Sequence, residues 1–245
     1  MIYFDADKQI FHLTNGQVSY IIGVEEKGLL AQLYYGKAVS GYHGGRHYPR
    51  FERSFSFNFE EDKKRVYSRD TLLQEISSFG GGDFRVPAGA DGSHQTDFRY
   101  DSYEIYKGKP DLGGLPATFA SEENPVETLD ICLKDKYRQL ALHLRYSIFE
   151  QLSVITRSHI LVNEGRDEVV IHKLSSLSLD FPADKWESIY QVLGVMNVNC
   201  RGTLSFEGYI PLTVSVEPVA IRKIPLLPWL RMIRLRIRGR PMVLL

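Results

Sequence analysis

The sequence is short of the features that would tie it to several common classes. It has two cysteines, Cys132 and Cys200, in 245 residues, too few and too far apart for a disulfide scaffold or a thiolate zinc site. No apolar run is long enough to span a bilayer. Met1-Ile2-Tyr3-Phe4-Asp5 has no basic segment leading into an apolar one, so no secretory leader is expected. Charge of one sign is missing as well: 30 Lys and Arg balance 30 Asp and Glu, and no global basic field points to nucleic acid. Convincing amphipathic helices are absent, with only residues 70–77 able to make one or two turns. The expectation is a cytoplasmic protein kept reduced, with no metal or cofactor and no membrane or nucleic-acid partner.

What is present is aromatic and alternating. Phe, Trp and Tyr make up 12% of the chain, with 14 Tyr and 13 Phe, which suits strands and sugar-stacking surfaces alike. Leu140, Leu142, Leu144, Tyr146 and Ile148 fall on one face of a period-two pattern, with Ala141, His143, Arg145 and Ser147 on the other. Leu177, Leu179 and Phe181 alternate in the same way with Ser176, Ser178 and Asp180. Residues 9–13 and 17–24 read as strands joined by the turn residues Asn15-Gly16. Residues 154–162 and 169–179 read as a further pair across Asn163-Glu164-Gly165. Many short strands separated by turns predict an all-β fold, a large antiparallel β-sandwich.

Three stretches, 40–53, 80–92 and 106–118, are long polar loops of the kind that carry binding residues on a rigid scaffold. Their local motifs are weak. His43 and His47 are four apart, but the intervening glycines argue against a helix that would bring the rings onto one face. Gly80-Gly81-Gly82 lacks the Lys-Ser/Thr of a phosphate cradle and reads as a permissive turn. No spacing of carboxylates singles out a catalytic pair. Residue chemistry alone stops at a β-sandwich with long polar loops.

The run D-T-L-L-Q-E-I-S-S-F-G-G-G-D-F-R-V-P at 70–87 resembles the N-terminal domain of bacterial α-galactosidases of glycoside hydrolase family 36. So do Y-K-G-K-P at 106–110, G-L-P-A-T at 114–118, V-I-T-R-S at 154–158 and L-S-L-D-F at 177–181, in family order over roughly the first 185 residues. The resemblance implies a β-supersandwich, in relatives followed by a catalytic (β/α)₈ barrel that this chain lacks. It also implies retaining hydrolysis of terminal α-D-galactosyl residues of melibiose- and raffinose-type sugars. Retention needs two carboxyl groups roughly 5–5.5 Å apart, one attacking and one protonating the leaving oxygen. Both aspartates belong to the barrel, so no catalytic residue is expected here and the chain alone is expected to be inactive. The alternative is a non-catalytic galactoside-binding or oligomerisation module.

The resemblance also implies two substrate-binding positions. The loop containing P-R-F-E-R-S-F-S-F-N at 49–58 corresponds to one that reaches the active site of a neighbouring subunit in a homotetramer. Its acidic residue, usually Asp, is here Glu52, one methylene longer. Arg65 aligns with an arginine that plays a similar part. Residues 88–92 are several residues shorter than the family pattern, which predicts a shortened strand.

Past about residue 189 the pattern breaks. Beyond Glu217 there is no Asp or Glu, while Arg222, Lys223, Arg231, Arg234, Arg236, Arg238 and Arg240 accumulate among Ile, Leu, Met and Trp. Family members continue with G-A-W-G-x-E-R and then R-G-x-S-S-H-Q-x-N-P-F, neither present in frame. Yet Gly194 to Val198 can be encoded GGG GTC ATG AAC GTA, which one base earlier, after a T, reads W-G-H-E-R. Val219 to Leu227 likewise admit S-S-H-Q-K-N-P-F-I in the same offset, and Leu230 to Leu244 admit A-E-D-D-T-T-E-D-Q-G-E-A-Y-G-F. Shifted Asp and Glu codons become Arg, Met or Ile, which accounts for the acid-free, arginine-rich composition. Residues 1–189 are therefore expected to form the sandwich domain, and 190–245 an out-of-frame tail rather than a native domain.

Overall fold

The computed structural model describes residues 1–46, 48–49, 68–78, 80, 88–91, 96–112, 118–135, 137–175 and 177, with the backbone alone at 70, 89–91 and four strands between 186 and 244. The chain divides into two units, residues 1–113 with 117–180, and residues 114–116 with 181–245.

In the first unit the leading sheet has the order β1 (Ile2–Asp5), β2 (Ile10–Thr14), β3 (Val18–Glu25), β4 (Leu29–Lys37), all antiparallel. The expected turn joins β2 to β3. Gly16 takes φ +83°, and Asn15 Oδ1 accepts the amides of Gln17 and Val18 at 2.9 and 3.0 Å, the local closure for which Asn is favoured. Between β3 and β4, Lys27 and Gly28 both have positive φ.

The second sheet runs β6 (Phe98–Lys107), β7 (Val126–Asp135), β8 (Leu140–Phe149), β9 (Ile155–Asn163), again antiparallel. The alternation read in β8 is the one the fold uses: Leu140, Leu142, Leu144, Tyr146 and Ile148 are buried in the core. There they meet Phe11, Leu13, Tyr20 and Ile22 of the first sheet and Leu129, Ile131 and Leu133 of β7. Burial of so many large apolar side chains, each contributing about 1.5–3 kcal/mol, holds the two sheets face to face.

Alternation is weaker in the first sheet because its second face is also covered. Ile10, His12, Ser19 and Ile21 are all buried, and the chain following β4 lies over them. Val39 N donates to Ser19 Oγ at 3.1 Å, Lys8 Nζ to Tyr42 O at 3.1 Å, and Arg46 to the carbonyl of Lys8. A strand buried on both sides reads as a nearly continuous apolar run, as I-F-H-L and Y-I-I-G-V do.

One expected pairing differs. Among the described residues of 169–179, none pairs with β9 as a ladder. The strand in that stretch, β10 (Ile171–Leu174), pairs antiparallel with the three-residue β5 (Gly89–Asp91). Asn163 organises a wider loop, accepting the Gly165 amide at 2.9 Å and donating to Asp167 O at 2.8 Å, and Glu164 N donates to Gln139 O at 2.9 Å. Residues 70–77 make a 3₁₀ turn only at Arg69–Thr71. Beyond it the chain extends along β4, with Gln32 N donating to Leu73 O at 2.8 Å and Glu75 N to Leu30 O at 3.1 Å. The proposed alternation at 176–181 lies outside the described residues except for Leu177.

In the second unit the described backbone is a four-stranded antiparallel sheet of order β12 (Asn199–Phe206), β11 (Trp186–Leu193), β13 (Ile233–Ile237), β14 (Arg240–Leu244). Extended backbone is thus present within 190–245. Among the described residues every helical stretch is a single 3₁₀ turn, and none belongs to a (β/α)₈ barrel.

Candidate functional site

Glu52 and Arg65, the two expected sugar contacts, lie outside the described residues, but the root of the segment that bears them does not. Pro49 O accepts the Ser68 amide at 3.1 Å and lies 2.9 Å from Thr71 Oγ1, which is also 2.6 Å from Ser68 O. The chain thus leaves at Pro49 and returns at Ser68 through a closed neck.

Each side of the neck is tied to the sandwich by charge. On the incoming side, Tyr48 donates to Glu25 Oε1 at 3.2 Å, and Arg46 Nη1 lies 3.5 Å from the same oxygen. Burial raises the Glu25 carboxyl pKa, opposed by the Arg46 charge and the Tyr48 hydroxyl. The Tyr48 hydroxyl is itself pushed far up, by burial first and by the Glu25 charge second. On the outgoing side Arg69, only 2% exposed, donates through Nη2 to Asp97 Oδ1 at 3.0 Å. The other oxygen of Asp97 accepts Arg99 Nη2 at 2.7 Å, and Arg99 Nη1 donates to Lys27 O at 3.1 Å.

Deeper in the sandwich, the same returning segment inserts Glu75, fully buried. Its Oε1 accepts the Tyr20 hydroxyl at 2.5 Å, and its Oε2 accepts the Tyr146 hydroxyl at 2.7 Å and Arg157 Nη1 at 2.9 Å. Arg157 Nη2 donates to Glu75 O at 2.5 Å, Arg157 Nε donates to His159 Nε2 at 2.9 Å, and the guanidinium lies 5.0 Å from the Tyr146 ring centroid. A carboxylate this deep persists because it is paired and fully hydrogen-bonded. Burial first, and the Glu75 charge with it, holds the Tyr20 hydroxyl protonated well beyond its ordinary range, and burial does the same at Tyr146. The group is a structural tie, because both oxygens of the carboxylate are committed to donors within the sandwich.

Nothing in the loops singles out Glu75, Arg157 and Asp97, yet signals for two of them exist. Glu75 is the lone charge between Asp70 and Asp83. Arg157 occupies the parity of Ile155 and Leu161, which pack against the core. Of the histidine pair, His43 is described and His47 is not. Among the described residues no group of three or more His, Cys, Asp or Glu is arranged to hold a metal, and no helix is long and apolar enough to cross a membrane. Cys132 carries a free thiol.

A model of the glycosyl hydrolase family 36 N-terminal domain matches residues 28–191. The chain belongs to that family. It is 40% identical over 193 residues to α-galactosidase Mel36A of Lactobacillus acidophilus, covering 77% of this chain and 26% of the relative. The solved structure of family 36 α-galactosidase AgaB from Geobacillus stearothermophilus is similar at a TM-score of 0.69 and 38% identity, over 78% of this chain and 26% of that one. A variant of AgaA from the same organism, solved in complex with raffinose, gives a TM-score of 0.68 at 40% identity over 80% and 28% of the two chains. The chain therefore spans about a quarter of the length of these family 36 relatives, and the part they share is the β-sandwich.

Proposed function

We propose that this chain is the sandwich portion of an α-galactosidase acting on raffinose- and melibiose-type sugars, and that by itself it hydrolyses none of them. The observation that carries the reading is the position of the family match: it falls on the N-terminal domain and stops at residue 191, whereas the paired carboxylates that retaining hydrolysis requires are expected in a barrel. The relative solved with raffinose supports the sugar class. In this reading Glu52 and Arg65 bind galactose hydroxyls, in a tetramer across to a neighbouring subunit, and the closed neck at Pro49 and Ser68 gives them a fixed base. The setting is cytoplasmic, where the Cys132 thiol stays reduced. Incubating the purified chain with a nitrophenyl α-galactoside is expected to release no nitrophenol above background; enzyme-dependent release would overturn the reading.

The second reading is a galactoside-binding or oligomerisation module without catalysis, favoured by the neck being built entirely from residues of this chain. Calorimetry with raffinose, repeated on Glu52→Ala, separates the two. Heat of binding lost in the variant supports a binding module; no heat in either leaves the sandwich a structural portion only.

The out-of-frame origin of residues from about 190 onward belongs to the same proposal. It is supported by the change of composition there and by the family match ending at 191. Sequencing the gene tests it: codons incompatible with the shifted motifs would refute it.

A further inference from the structure

His12, in the middle of β2, is a fully buried imidazole with a hydroxyl at each nitrogen. Nδ1 meets the Tyr3 hydroxyl of β1, and Nε2 lies 2.8 Å from Ser19 Oγ of β3, which is buried as well. Each hydroxyl also holds the chain that follows β4. Val39 N donates to Ser19 Oγ at 3.1 Å, and the Tyr3 hydroxyl lies 3.5 Å from Ser40 O. Residues 38–46 are fixed at further points by Gln17 O, which accepts the Ala38 amide at 3.0 Å, by Lys8 Nζ on Tyr42 O, and by Arg46 on the carbonyls of Lys8 and Gln9. They form a strap across the second face of the leading sheet.

Only one placement of the hydrogens satisfies every member of this chain of contacts. Each hydroxyl has a single hydrogen to give, and a neutral ring has one donor and one acceptor. If Tyr3 donates to Ser40 O, the ring hydrogen sits on Nδ1 and is donated to Tyr3, and Ser19 donates to Nε2. In the other tautomer Tyr3 turns its hydrogen to Nδ1, Ser40 O loses it, and the Ser19 hydrogen no longer has the ring as acceptor. A second proton on the ring also removes the acceptor at Nε2. Ser19 Oγ then faces two donors, the ring and the Val39 amide, with its own hydrogen displaced, and a buried polar group left unmatched is costly.

We infer that His12 is the pin of an acid-opened strap: as the neutral Nδ1–H tautomer it holds residues 38–40 on the sheet through Tyr3 and Ser19, and on protonation it releases them. The groups facing the ring favour the neutral form. From β1 these are the Tyr3 hydroxyl and, at longer range, the Met1 ammonium; from β3, Ser19; from the strap, Val39 and Ser40. Asp5 of β1 is paired with Lys8, and Glu25 is engaged by Arg46 and Tyr48. Burial first, and the Met1 ammonium second, hold the His12 pKa below its ordinary 6.5. The opened strap exposes a ring of ordinary pKa, so closure is strongest above about pH 6.5 and weakens as the pH falls.

Hydrogen exchange of the full chain, followed amide by amide by NMR from pH 7.5 to 4.5 and expressed as protection factors, tests this directly. Val39 protection is expected to be level above about pH 6.5 and to fall below it, by up to about tenfold per pH unit, while amides of β8 lose less. His12→Gln keeps a donor and an acceptor and is expected to abolish the step. His43→Gln, which removes the titratable ring of the strap itself, is expected to leave it intact. A step that survives in His12→Gln, one that disappears in His43→Gln, or parallel losses at Val39 and in β8 would overturn the inference. If His12→Gln does not fold, Ser19→Ala is read in its place: Val39 protection is expected to be low at every pH, and a retained step would be equally decisive against the strap.

Discussion

At the scale of single residues, the chemistry with the largest consequence is the arrangement that keeps Glu75 buried. Tyr146→Phe withdraws one of its donors while leaving Arg157 and Tyr20 in place, and is expected to cost about 1–3 kcal/mol. Arg157→Met leaves the carboxylate without its counter-charge and is expected to cost about 3–5 kcal/mol, measured by urea denaturation. If the two variants lose the same stability, the charge contributes nothing beyond a hydrogen bond. His159 supplies a pH signature. Its Nε2 accepts from Arg157 Nε, so the ring must be neutral, and burial first, then the Arg157 charge, hold its pKa down at about 3 from an ordinary 6.5. Between those values the unfolded chain takes a proton that the folded chain refuses. Stability from this group is therefore complete above roughly pH 6.5 and falls as the pH drops toward 3, by up to about 1.4 kcal/mol per unit. His159→Gln keeps an acceptor and removes the titration. Melting curves between pH 4.5 and 6.5 are expected to show a shallower slope in the variant, and parallel slopes would exclude His159 as the cause.

At the scale of elements, the β3–β4 turn concentrates two constraints on one residue. Gly28 has φ +76°, and a Cβ there would stand 3.2 Å from the Tyr100 amide nitrogen of β6. Gly28→Ala meets both the left-handed penalty and a backbone contact, so it is expected to lower stability by about 1–3 kcal/mol. Gly16 has φ +83° with open space around the added carbon, and Gly16→Ala is expected to cost less; a reversed order would mean that the approach of β6 is slack. Elements like these also mark what sequence alone could reveal. The Asn15-Gly16 turn and the β8 alternation are local patterns with one solution, and both are present. The β5–β10 pairing joins three residues, Gly89-Ala90-Asp91, to a strand about eighty positions later, and a stretch so short has no period to read. Glu75 and Arg157 escaped because a carboxylate or guanidinium is read as surface by default, and the isolation of Glu75 and the core parity of Arg157 outweigh that default only once their partners distant in sequence are known. Glu52 and Arg65 came from family resemblance rather than from any pattern of their own.

At the scale of the whole molecule, the decisive quantity is what residues beyond 189 contribute. Among the described residues, the main core draws its side chains from Ile2 to Val169, all within the first unit. If the later residues were never selected to pack, a chain ending at residue 189 keeps every one of those contacts. It should unfold cooperatively with a melting temperature within about 4 °C of the full chain, since about 1 kcal/mol corresponds to roughly 2–4 °C at this size. A loss of more than about 10 °C would mean that the β11–β14 backbone carries side chains evolved for the sandwich, and the out-of-frame origin would have to be abandoned. The cut also removes the arginines from 201 onward together with the apolar residues among them. Apolar residues never selected to pack promote association, so if the out-of-frame reading holds, the shorter chain is expected to stay monodisperse at concentrations where the full chain scatters light.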